Sequence, residues 1–365
     1  MPETPFIITV DTEGDNLWEK PREITTRNAA YLPRFQLLCE RFHFKPVYLV
    51  NYEMAMSDVF VEFGRDVVSR GAGEIGMHLH AWNSPPLEPL TRDDFFHQPF
   101  LIEYPDRIMS EKIHTMTHLL EHKFDRKMIS HRAGRWAFDG RYAAMLIDEG
   151  YLVDCSVTPG VDWSATPGDP EGNGGTDYTS FPDSPYLLSP VDISVASAGP
   201  MLEVPMTVFA SKLFQHSPWV YRVPGLARAA RRISPQRRWL CPVALLEKHN
   251  HDAMLQLARR ARDEPPTHME FMLHSSDLMP GGSPSFKNAS DIDGLYDRLE
   301  TLFDKLSMWC RGMTLAEFRE HWMKAPNKTR LIGLGEQQSN RVARSMEVRK
   351  STTGPAPVEK GSVPG

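Results

Sequence analysis

Two histidines one residue apart, His78 and His80, close the stretch Gly73-Glu74-Ile75-Gly76-Met77-His78-Leu79-His80. The run reads as a strand, and side chains two apart along a strand point to the same face. Two neutral imidazoles converging in this way make half of a zinc site. The acidic half can come from Phe6-Ile7-Ile8-Thr9-Val10, an apolar, β-branched run that ends in Asp11-Thr12-Glu13-Gly14-Asp15. Asp11 and Glu13 repeat the two-residue spacing. Carboxylates closing one strand and imidazoles closing another can meet at one rim. Zinc in a catalytic site takes about three protein ligands and leaves a position for water.

Two more clusters follow short apolar runs. Ser130-His131-Arg132-Ala133-Gly134-Arg135-Trp136 places an arginine where it would hold a nearby carboxylate ionised and oriented. Phe271-Met272-Leu273-His274 places a histidine directly after a buried strand, which suits a general acid. Other histidine groups fit less well. His249 and His251 open a helix, where residues two apart point roughly 200° apart. His114, His118 and His122 lie almost opposite the apolar stripe Ile113, Met116, Leu119, Leu120 and Phe124, so they are expected to face water.

The elements that must position these groups alternate along the chain. Strands are expected at 5–11, 46–50, 73–79, 128–130, 151–154, 201–204 and 269–273. Helices are expected at 27–43, 58–70, 107–124, 139–149, 245–262, 290–308 and 314–323. Strand-then-helix repetition implies a parallel α/β sheet, in which chemistry collects where strands end. The four clusters at Asp11–Glu13, His78–His80, Ser130–Trp136 and Phe271–His274 all obey that rule. Residues 156–200, rich in Gly, Pro, Asp and Ser, are long enough to cover a substrate. Residues 212–246 carry one Lys and six Arg with no acid. Beyond about 330 the apolar periodicity stops. The organisation expected is one domain over 1–325, with these two insertions, and a disordered tail over 326–365.

Composition agrees with a globular protein: 365 residues, 41% hydrophobic, 24% charged. A net charge of −6 argues against a general nucleic-acid binder. No apolar run approaches the roughly 20 residues that span a bilayer. Cys39, Cys155, Cys241 and Cys310 are scattered, without a disulfide or zinc-ribbon framework, and the amino end shows no basic region or apolar signal core. A cytoplasmic location is expected.

Taken in order over most of residues 5–325, these motifs resemble the polysaccharide deacetylase family (carbohydrate esterase family 4, with the nodulation-type chitooligosaccharide deacetylases). The family's Thr-Phe-Asp-Asp is matched by Thr9-Val10-Asp11-Thr12-Glu13, and its histidine-rich metal motif by Glu74 to His80. Its Arg-x-Pro-x-Gly is matched loosely by Arg132-Ala133-Gly134-Arg135-Trp136, and its Asp-containing motif by Val153-Asp154-Cys155-Ser156. Its terminal Leu-His is matched by Leu273-His274. Thr12 departs from the family's second Asp, which leaves Glu13, or Asp15, to bind metal. The family spaces its metal histidines four apart, so Trp82 stands where the second would fall, and the match favours His78 over His80.

The resemblance implies a distorted (β/α) barrel of seven or eight mostly parallel strands. It also implies a metal-dependent hydrolase, with Zn2+ as the expected cofactor, that removes an N- or O-acetyl group from a sugar. Asp11 would be the base, Arg132 its orienting partner, and His274 the acid, with Asp154 as the carboxylate that raises the pKa of His274. Glu13, His78 and His80 would hold the metal. Trp82, Arg135, Trp136 and Leu273 would meet the substrate, and Trp163, with Asp162, is expected to join them from its place in the long loop. That substrate is expected to be a lipid- or nucleotide-linked precursor of a surface polysaccharide, with the arginine-rich segment gripping its anionic carrier or resting on the inner face of the membrane. Two rival readings remain. Amidohydrolases also use His-x-His, though on the first strand. A degenerate deacetylase fold would bind a glycan or a partner without turnover.

Overall fold

The computed structural model describes residues 3–210, 237–239, 251–263 and 267–324. Its centre is a curled, mostly parallel sheet that forms half of a barrel. In chain order the strands are β1 (Thr4–Thr12), β2 (Pro46–Val50), β3 (Glu74–Leu79), β4 (Ser130–Ala133), β5 (Val153–Asp154), β6 (Tyr186–Leu187), β7 (Leu202–Glu203), β8 (Val208–Ala210), β9 (Arg237–Trp239), β10 (Met269–His274) and β11 (Cys310–Gly312). The sheet runs β10-β1-β2-β3-β4-β5-β7-β6, with β11 also on β1. Every pairing in it is parallel except β6 with β7. Among the described residues β10 and β6 stand at its two ends, and the barrel is open between them.

The alternation of side chains sorts β1 cleanly. All nine of its residues are buried, as a strand covered on both faces requires. Phe6, Ile8 and Val10 join the large apolar cluster formed with the outer helices. Ile7 faces the other way, into a smaller cluster with Val47, Leu49, Val153 and Leu202. Leu315, Phe318 and Trp322 of the last helix, Leu315–Lys324, close the bottom of that inner cluster. Thr9 and Asp11 follow Ile7 on the inner face. On β10, Met269, Phe271 and Leu273 belong to the outer cluster, which leaves Glu270, Met272 and His274 on the inner face. The half-barrel therefore has an apolar floor, a polar layer at Thr9, Arg132 and Glu270, and an upper rim that bears the strand-end groups.

Of the arginine-rich stretch 212–246, only Arg237–Trp239 is described, as a strand antiparallel to Val208–Ala210. The remainder of that stretch and the tail over 326–365 lie outside the described residues. No described helix is long and apolar enough to cross a membrane.

One fold residue sets an acid limit on stability. His268 is buried, with Nε2–H donating to the Pro205 carbonyl at 2.8 Å. Burial pushes its pKa down from 6.5 to about 4. The unfolded chain therefore takes up this proton first, and stability falls as pH drops from 6.5 toward 4. At pH 5 the loss from this residue is roughly 2 kcal/mol. Urea titrations at pH 7 and pH 5 should show His268→Gln losing less stability between the two pH values than the parent, by about that amount. An unchanged difference would remove His268 from the acid response.

Candidate active site

Glu13 lies just past β1, and its backbone is pinned from two sides. Its N–H donates to Ser275 Oγ at 3.1 Å, and its carbonyl accepts from Asn28 Nδ2 at 2.7 Å. The next N–H, of Gly14, donates to Glu53 Oε1 at 2.7 Å. This turn aims the buried Glu13 carboxylate at the end of β3. His78 Nε2 is 3.7 Å and His80 Nε2 is 3.4 Å from Glu13 Oε2. One donor atom from each of the three residues falls within 4.8 Å of the others.

Those separations suit ligands around a shared cation. Tetrahedral bonds of about 2.1 Å put ligand atoms roughly 3.4 Å apart. His78 Nδ1 lies 3.1 Å from the carbonyl of Arg132, which can only accept. Nδ1 is therefore the protonated nitrogen, and Nε2 keeps a bare lone pair toward Glu13. His80 Nδ1 is buried with no hydrogen-bond partner. Burial lowers the His78 pKa to about 4 and holds that of His80 well below its usual value, so both rings are neutral, as metal ligands must be. Burial also lifts the Glu13 carboxyl to about 8. A carboxylate this far from water needs a positive partner to stay ionised. These three residues fit a divalent metal site. His80, disfavoured by the spacing argument, is as close to Glu13 as His78 is. Asp15, the alternative acid, is committed to Arg27, whose Nη2 lies 2.7 Å away.

Asp11 ends β1 beside this group. Its Oδ1 accepts from Arg132 Nη1 at 2.6 Å. Arg132 is fully buried and also donates to Thr9 Oγ1 at 2.9 Å, to the Cys155 carbonyl at 3.2 Å and to Glu270. Burial would raise the Asp11 pKa, but the charge of Arg132, with smaller help from His78 and His274, holds it below the usual carboxylate range. Across the ladder, Asp11 is in register with His274. Burial works against a charge on His274. The nearby carboxylates of Asp277 and Glu13 outweigh it and raise the pKa to about 9.

Asp154 does not serve His274. The two-residue strand β5 pairs Asp154 with His131, and alternation turns both away from the barrel interior. His131 Nδ1 donates to Asp154 Oδ1 at 2.6 Å, and its Nε2 accepts from Tyr142 at 2.7 Å. The carboxylates beside the His274 ring are Asp277, three residues on and 3.8 Å from Nδ1, and Glu13, 3.9 Å from Nε2.

The pocket over this centre is lined by Asp11, Glu13, His78, His80 and His274. Leu17, Trp18, Trp82, Gln98, Ala133, Arg135 and Trp136 complete its wall. Trp82 stacks on His80, with ring centres 4.3 Å apart. Gly134 lets the wall approach: a Cβ there would lie 2.3 Å from the His80 ring and 2.4 Å from the Leu79 carbonyl. Arg135 and Trp136 both have left-handed backbones, at φ of 55° and 63°. Such strain concentrates at functional sites. It is held by Arg135, which stacks on Phe100 at 4.2 Å and donates to the carbonyls of Gln98 and Pro167. Trp136 lies over the Arg132 guanidinium at 4.9 Å.

Three residues expected at the substrate are elsewhere. Leu273 is fully buried in the outer core, because the residue next to an inward His274 must point outward. Neither Asp162 nor Trp163 lines the pocket, and Trp163 Nε1 donates to Thr158 at 2.9 Å. Leu17, Trp18 and Gln98 come from loops whose sequence carries no spacing signal, whereas the His274-to-Asp277 interval could have been read as a local carboxylate partner. His114 and His118 are exposed, as their helix face implies, with His114 paired to Glu149 at 2.9 Å.

No protein-family model matches the chain, and no curated protein sequence matches it. Solved structures do. A protein of Parabacteroides distasonis, provisionally assigned as a glycoside hydrolase/deacetylase, aligns over 88% of this chain and 72% of its own at 11% identity, with a TM-score of 0.58. The chain shares that fold. A provisionally assigned polysaccharide deacetylase of Mycobacterium smegmatis aligns over 100% of this chain and 96% of its own, at 12% identity and a TM-score of 0.49. A CE4 family pseudoenzyme of Bacillus anthracis covers 86% of this chain and 63% of its own, at 9% identity and a TM-score of 0.41.

Proposed function

We propose that this protein is a metal-dependent carbohydrate deacetylase, hydrolysing an N- or O-acetyl group from a sugar. The observation that carries this reading is the meeting, at one rim, of Glu13, His78 and His80 with an Asp11 held by Arg132 and a His274 beside Asp277. The fold it shares with the Parabacteroides distasonis protein, and the order of its motifs, support it.

Glu13, His78 and His80 would hold the ion, and two imidazoles with one carboxylate suit Zn2+. A divalent ion there supplies Lewis acidity toward the acetyl carbonyl. Asp11 takes the proton of the attacking water, and Arg132 keeps that carboxylate ionised and aimed. His274 starts protonated, held so by Asp277, and gives its proton to the departing amine or hydroxyl. Trp82, Arg135 and Trp136 shape the wall against which the acetylated sugar lies.

The test is acetate release from N- and O-acetylated sugars by zinc-loaded protein, with and without chelator. Chelator-sensitive release is the expected result. A fully loaded protein that releases nothing would leave a glycan-binding role in place of turnover. The ligand assignment has its own test. After zinc loading and dialysis, His78→Ala should retain less than about a tenth of the metal that the parent holds, because a three-ligand site loses most of its affinity with one ligand. Full retention by elemental analysis would put the ion elsewhere.

A further inference from the structure

Trp18 is 51% exposed, the only exposed tryptophan among the residues whose side chains are described, yet it lines the active-site pocket. It sits on a single turn, Leu17–Glu19, whose Leu17 is buried beneath it and lines the same pocket. That turn is fastened at several points. Asn16 bonds the Glu23 carbonyl at 3.0 Å and the Thr25 N–H at 3.1 Å. Lys20 donates to the Phe96 carbonyl at 2.8 Å, and Arg22 pairs with Asp93 at 2.5 Å. The indole is edge-on to His274, with ring centres 5.3 Å apart and planes at 76°, and Nε1 donates to Ser276 Oγ at 3.4 Å. A large apolar ring is thus held beside the proton donor and left half in water. Its environment accounts for its fixed place but not for its exposure, since burial of an indole is the favourable state.

We infer that Trp18 is the floor of a sugar subsite, stacking against the apolar C–H face of the pyranose that bears the scissile acetyl group. This rests on the deacetylase reading in one respect: His274 must reach the departing nitrogen or oxygen, so the ring carrying that atom lies next to His274, where the indole is. A pyranose has an apolar face and a polar edge. The indole meets the face, while Gln98, which lines the same pocket, offers a polar amide for hydroxyls at the edge. Fixing the ring before sugar arrives spares the ordering cost of binding. The ligand class is an acetylated pyranose rather than a small aliphatic or peptide acetyl group.

The experiment is calorimetric titration of the zinc-loaded protein with an N-acetylglucosamine tetramer, in an Asp11→Asn background so that the ligand stays intact. Trp18→Ala should weaken binding roughly ten- to a hundred-fold, the combined loss of a stacking contact and of the apolar area the indole would bury against the sugar. Trp18→Phe, which keeps a flat ring but loses the bond to Ser276, should return affinity to within about three-fold of the Trp18 protein. Equal weakening by Ala and Phe would mean that Trp18 acts through Ser276 and His274, not as a platform, and would overturn the inference. So would unchanged affinity in Trp18→Ala, or no binding by the Trp18 protein at millimolar tetramer. Trp18-dependent binding, combined with no acetate release by the zinc-loaded protein that keeps Asp11, would end the hydrolytic reading and leave the sugar subsite standing.

Discussion

Asp11→Asn is expected to lower acetate release by about 10²–10⁴-fold, the usual cost of losing a general base, while the protein keeps its metal. The two halves of this outcome follow from geometry. Asp11 is bonded to Arg132 rather than placed among Glu13, His78 and His80. An amide at position 11 can still accept from the Arg132 guanidinium, so the polar layer stays paired. It cannot take a proton from water. Parallel measurements of kcat and of bound zinc check both halves. Turnover within three-fold of the parent would strip Asp11 of its role, and loss of metal would recast it as a ligand.

The largest stability effect is expected at Arg132. Its guanidinium has no exposure and serves Asp11, Glu270, Thr9 and the Cys155 carbonyl at once. Burial lifts the Glu270 carboxyl to about 7 even with Arg132 beside it. Arg132→Met fills similar space but strands two carboxyl groups in the barrel interior, at a cost of about 3–5 kcal/mol. Lysine restores the charge without the planar fork that reaches two acids, so it should recover only part. Adding Glu270→Gln to Arg132→Met should return some of the loss, because one of the stranded groups is then neutral. Urea unfolding of the four proteins measures this. A loss below 1 kcal/mol in Arg132→Met would show that solvent or rearrangement satisfies the interior acids.

Much of this centre was legible because strands carry it. Asp11, His78, Arg132 and His274 are strand residues, and strand-end position is written in apolar runs that stop at a polar residue. The strand β3 pairs with β4 from Met77↔His131 to Leu79↔Ala133, so His78 is placed by the ladder. Where the strand is two residues long, the same reasoning fails. Asp154 follows a single buried valine, and nothing local says which face it takes; the pairing with His131 decides, and that register is a long-range fact. Leu273 shows the opposite case: alternation alone excludes it once His274 is known to face inward. Trp18, Leu17 and Gln98 arrive through loops fastened by backbone carbonyls and exposed ion pairs, interactions that leave no periodic trace. The pinning of Glu13 by Asn28, Ser275 and Glu53 is equally silent, since its partners are scattered over the chain.

The position of β1 has a consequence for biogenesis. It bonds β2 a few dozen residues later, but its other flank waits for β10, 263 residues downstream at the Asp11↔His274 step. A ribosome-bound chain can build β1 to β7 and still lack the assembled site, because Asp11 and His274 become neighbours only when β10 pairs with β1. Until then the long buried strand offers a naked hydrogen-bonding border to any passing β-segment. Fragments ending before Met269 should therefore clump rather than persist in solution.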